Sequence, residues 1–70
     1  MIVRFETLGR AELYLNPDCI ESIDAGNDDC WSVLVMASGA NHPVTGNPRM
    51  VYTMLTGLGY TQDSMARRSR

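Results

Sequence analysis

His42 is the only histidine in this 70-residue chain, so any acid–base or triad scheme has to run through it. Cys19 and Cys30 are the only thiols. A Cys30–His42 dyad across adjacent strands would supply nucleophile and base, but it needs a depressed thiol pKa and an orienting third group. No serine-centred nucleophile elbow, no His-Glu-x-x-His pair and no glycine-rich loop ending in Lys-Ser or Lys-Thr occurs. Lysine is absent altogether, which removes Schiff-base chemistry and the phosphate-binding lysine of nucleotide hydrolases. The expectation is a protein that is not an enzyme and carries no cofactor.

Two other clusters invite a ligand. Asp24, Asn27, Asp28 and Asp29 crowd one segment, but their spacing does not match an EF-hand loop, and Asn and Asp favour turns for local reasons. One histidine and two cysteines cannot complete a zinc site without a carboxylate, so no metal site is expected. Arg49 follows Asn47-Pro48 at the start of an apparent helix, where a cation opposes the macrodipole by roughly 0.3–1 kcal/mol. With the free amides after Gly46, Arg49 and Asn47 would form an anion or nucleotide pocket to which His42 could contribute.

The elements that must position these residues follow from spacing. Met1–Thr7 alternates, with Val3 and Phe5 on one face, and Ala11–Leu15 returns after Gly9-Arg10 with Leu13 and Leu15 facing inward. Asn16-Pro17-Asp18 makes a tight turn. Ile20–Asp24 is a short strand, although Ile20 and Ile23, three apart, fit a helical turn or a bulge better than a clean strand. Residues 25–29 form a polar loop. Cys30–Ala37 is the most hydrophobic strand: Trp31, Val33, Val35 and Ala37 share one face, Leu34 and Met36 the other. Ala40–Val44 returns as an edge strand marked by Pro43. Asn47 caps a helix over 48–58, with Pro48 at its first position and an apolar stripe of Met50, Val51, Met54, Leu55 and Leu58. Met50 and Met54 are expected in the core. The sum is an α+β domain over residues 1–59: a small antiparallel meander of about five short strands, then one amphipathic helix. Residues 60–70 read as a flexible Arg-rich tail.

Both faces of Cys30–Ala37 are apolar, and one helix covers only one of them. A chain of this length is marginal as a lone monomer, so the second face is expected to meet another copy or a partner. Trp31, Val33, Val35, Tyr14 and Tyr52 are the candidate contacts. Arg67, Arg68 and Arg70 sit in the last four positions, so the first 66 residues set eight carboxylates against three arginines, a balance of −5. A body that acidic repels phosphate backbones, which argues against nucleic acid; weak binding through the arginine tail is the remaining route. Pairing the fourth strand with the third around Asn27 sets Cys30 opposite Asp24 and Cys19 opposite Val35. The sulfurs would then lie about 16 Å apart, too far for a disulfide, and reduced thiols imply a cytoplasmic setting. The longest apolar run, Val33 to Ala37, is far below the roughly 20 residues that cross a bilayer.

The run from Leu13 through Asn16-Pro17-Asp18 to Ile20-Glu21-Ser22-Ile23-Asp24 resembles the opening of the small FlbD-like flagellar and swarming-motility proteins. The apolar strand Val33–Met36, the Ser38-Gly39 turn, a short strand ending at Val44 and a helix containing Val51 follow in the same order. The likeness spans residues 1–58 and departs from the family in lacking its lysine-rich return strand and in carrying Pro43 and the arginine tail. It implies a small non-catalytic motility accessory. The functional expectation is therefore an oligomeric interaction protein of bacterial or phage origin that occupies a protein partner, as a motility accessory or as a blocker of a host factor. The alternatives are a nucleotide- or anion-binding protein using clefts near Arg49, and a weak nucleic-acid module.

Overall fold

Alternation of apolar and polar side chains builds the first hairpin. In the computed structural model, which describes residues 1–59, Val3–Glu6 (β1) pairs antiparallel with Glu12–Leu15 (β2), Val3 opposite Leu15 and Phe5 opposite Leu13. These four point to one side, where Val3 and Phe5 are buried and Leu13 and Leu15 pack against the core. The chain reverses through Arg10 at φ 65°, with the Thr7 amide donating to the Ala11 carbonyl at 2.9 Å.

Asn16 accepts from the Asp18 amide at 3.0 Å and opens a single 3-10 turn, Pro17–Cys19, that leads into Ile20–Ala25 (β3). In β3 the three-residue spacing of Ile20 and Ile23 is resolved by a bulge between Ile20 and Ser22. One extra residue there lets both isoleucines face the core, where regular pleating would put them on opposite sides. Trp31–Met36 (β4) lies between β3 and Asn41–Thr45 (β5) in a three-stranded antiparallel sheet.

The β3–β4 register differs from a turn centred on Asn27. Asp24 faces Val33 and Ala25 faces Ser32, so Cys30 does not oppose Asp24, nor Cys19 Val35. The turn is displaced along the chain because the Gly26 amide donates to the Trp31 carbonyl at 2.8 Å and closes it around residues 27–30. Inside it the Asp28 side chain accepts from the Cys30 amide, and Asp29 adopts φ 61°. Both thiols are free and exposed.

An isolated bridge between Thr7 and Val44 joins the two sheets, and Pro48–Gly57 (α1) packs across β3 and β4. Ile20, Leu34, Met36 and Val44 from the sheet meet Val51 and Leu55 from α1 and Val3 and Phe5 from β1. Each such burial is worth about 1.5–3 kcal/mol. Five short antiparallel strands followed by one helix make this an α+β meander. The expected C-terminal tail, 60–70, lies outside the described residues.

Two helical expectations need correcting. Met50 and Met54 are not core residues: they are 62% and 39% exposed, and Leu58 is exposed too. The five-residue stripe is too wide for the narrow contact α1 makes, and the i, i+4 pair Val51 and Leu55 takes it alone.

Candidate functional site

His42 lies on β5 opposite Leu34, and it shares the core-facing side of that strand with the buried Val44. Cys30 precedes β4, four residues before Leu34, which places it about 13 Å along the strand from the position His42 faces. The two do not form a dyad. Among the described residues no three His, Cys, Asp or Glu side chains are grouped to hold a metal ion. Asp28 and Asp29 instead shape the loop, one as an acceptor for a backbone amide and the other by its left-handed backbone.

At the start of α1 the capping geometry limits what an anion could find. Gly46 takes φ 91°, Asn47 accepts the Met50 amide at 2.8 Å, and Pro48 has no amide to offer. Of the first three helical N–H groups, only that of Arg49 stays open to an anion. The Arg49 side chain borders a shallow depression of about 520 Å³ with Met50, Thr53 and Met54. A neighbouring cleft of about 460 Å³ is lined by Arg4, Phe5, Glu6, Thr45, Gly46, Met50, Val51 and Met54, and His42 borders neither. Arg49, Asn47 and His42 are thus not brought together around one pocket.

The contact candidates separate onto three surfaces. Tyr14 stands exposed on the outer side of the β1–β2 hairpin, where its hydroxyl donates to Glu12, which also faces the Arg4 guanidinium at 3.5 Å. Tyr52 is exposed on α1. Trp31, Val33 and Val35 share the side of β4 opposite Leu34 and Met36. Strands on both flanks screen them edgewise, yet each stays half-exposed because no described element packs over them. Pro43 sits beside Val33, and Ser22, Asp24, Asn41 and Thr45 form the polar border given by the pairing register. This is an apolar stripe inside a polar rim, the anatomy of a contact surface.

Sequence reasoning missed one residue that holds this face in place. Ser32 is fully buried, and its hydroxyl donates to the Gly46 carbonyl at 2.7 Å, tying β4 to the turn that starts α1. A lone serine in an apolar strand is the available signal, because a buried hydroxyl requires a partner. Among the described residues no helix is long and apolar enough to cross a membrane. Comparison with family models, with curated proteins and with solved structures finds no match to this chain.

Proposed function

We propose that this chain is a non-enzymatic interaction protein that self-associates and acts in the cytoplasm by occupying a protein partner through the open face of β4. The observation that carries this reading is the central strand itself. Leu34 and Met36 are buried, while Trp31, Val33 and Val35 point away from the core and stay only partly buried, with no described strand or helix packed over them. Burying that stripe is a source of binding energy the folded chain has left unused. Seven carboxylates against three arginines in residues 1–59 favour a partner with a basic surface at long range. The resemblance to the FlbD-like proteins makes a motility component one form of that partner; a host factor blocked by a phage protein is the other.

An anion-binding reading has less support, because capping uses the Met50 amide and Pro48 supplies none. The test is a photo-crosslinking residue placed at position 33 or at the exposed position 10, expressed in cells that naturally carry the gene. A discrete adduct with another protein from position 33 and none from position 10 is expected. Identical adducts from both positions, or an adduct only with a second copy of this chain, would overturn the partner reading.

A further inference from the structure

The hydrogen-bond register distinguishes one sheet edge from the others. The Gly26 amide donates to the Trp31 carbonyl at 2.8 Å, so in the antiparallel β3–β4 ladder Gly26, Asp24 and Ser22 bond inward to β4. The backbone N–H and C=O groups of Ile23 and Ala25 then point away from β4, where no described strand pairs with them. The bulge ends at Ser22, which leaves residues 22–25 regularly paired, and Asp24 and Ala25 are exposed. On the far side of β4 the Met36 amide donates to the Ala40 carbonyl at 2.8 Å, so Asn41, Pro43 and Thr45 turn outward from β5. Pro43 has no N–H to offer there, and the bridge from Thr7 to Val44 takes up the same edge. β2 is only four residues long, and its Glu12 already faces the Arg4 guanidinium at 3.5 Å. β3 is the open edge that borders the β4 stripe.

Charge says what fits it. β3 carries Glu21 and Asp24 and no cation, and Asp28 and Asp29 follow in the adjoining loop. Two copies of this edge would crowd four carboxylates along one seam, so a second copy is a poor occupant. We infer that the protein partner adds an extended basic segment antiparallel to β3. Its main chain pairs with Ile23 and Ala25, and a cation stands opposite Asp24 in a non-hydrogen-bonded pair, where side chains approach most closely. Two residues further along the partner segment, opposite the small Ser22, an apolar side chain leans across toward Val35, which Ser22 faces on β4. Two residues before that cation a second one meets the loop carboxylates. The partner motif is therefore basic-x-basic-x-apolar.

This inference rests on the reading that the chain occupies a protein partner, and it names the form that partner presents. The probe is the end-blocked peptide Thr-Arg-Thr-Arg-Thr-Leu-Thr, titrated into the full chain at low salt and followed by amide exchange. It should slow exchange at Ile23 and Ala25. N-methylation of its threonines, whose N–H groups face β3, should weaken binding about tenfold or more. N-methylation of its arginines and leucine, whose N–H groups face away, should leave binding within about twofold. Asp24→Arg should weaken binding about tenfold. Ala25→Pro removes an outward N–H and no ladder bond, and should weaken binding as much in a folded chain. If that variant does not fold, the two methylated peptides still decide. Equal affinity of those two peptides would overturn strand addition, and crosslinking from position 33 would still test the partner reading by itself. Slow exchange at Ile23 and Ala25 before any peptide is added would mean that the chain itself or a second copy already covers the edge, and would overturn the assignment to a partner.

Discussion

Trp31 and Gly26 show how one side chain sets the requirement for another. A Cβ built on Gly26 would lie 2.3 Å from the indole of Trp31. Gly26 is there because the ring needs the space, and its backbone is not in the left-handed region. Gly26→Ala should push the ring off the loop, cost about 1–3 kcal/mol as overpacking does, and red-shift the emission of the only tryptophan. Unchanged emission and stability would mean the ring does not rest there. Ser32→Ala should cost about 1 kcal/mol in urea unfolding, since the Gly46 carbonyl loses its donor. No loss would show that water replaces the hydroxyl at that turn. Neither partner was legible in the sequence: Gly26 falls in a polar loop, and Ser32, the lone serine of an apolar strand, signals a bonded hydroxyl without naming its acceptor. Partners 5 and 14 positions away are set by the β-loop closure and by the β4–α1 junction.

Elements were far more legible, because period and punctuation act locally. The alternation of Val3 and Phe5, the Asn47-Pro48 helix start and the Ile20–Ile23 spacing each matched an observed strand, cap or bulge. What local pattern could not divide was the helix stripe. Five apolar positions all satisfy helical spacing, and only the width of the sheet beneath α1 selects Val51 and Leu55 for burial. Leu55→Ala should therefore cost about 2–5 kcal/mol and Met50→Ala less than about 0.5 kcal/mol. Chemical denaturation decides it, and equal losses would mean that Met50 shares the core. The β3–β4 register was misread for a similar reason. A polar loop rich in Asn and Asp fits several turn lengths, and the Gly26–Trp31 closure that chooses one is a tertiary fact.

On the scale of the whole molecule the described residues 1–59 form one core and leave two apolar surfaces that no described element covers, the β4 stripe and the outer face of α1. No disulfide forms, as both cysteines are free. A chain below about 70–80 residues commonly draws added stability from a bridge, a metal or an assembly. The doubly apolar character of β4 was legible from alternation, but which face the helix would take was not, since Val33 and Leu34 differ little as residues. The division of β4 into a buried and an open face is tested most directly by comparing Val33→Lys with Leu34→Lys in urea unfolding at low micromolar concentration, where the isolated chain is measured. Val33→Lys should stay folded and lose no more than about 1 kcal/mol, the range of strand propensity on an open face. Leu34→Lys should not fold, because the charge would be buried among apolar neighbours. Unfolding of the dilute chain by Val33→Lys would contradict the account, for it would mean that the β4 face is already covered within the monomer.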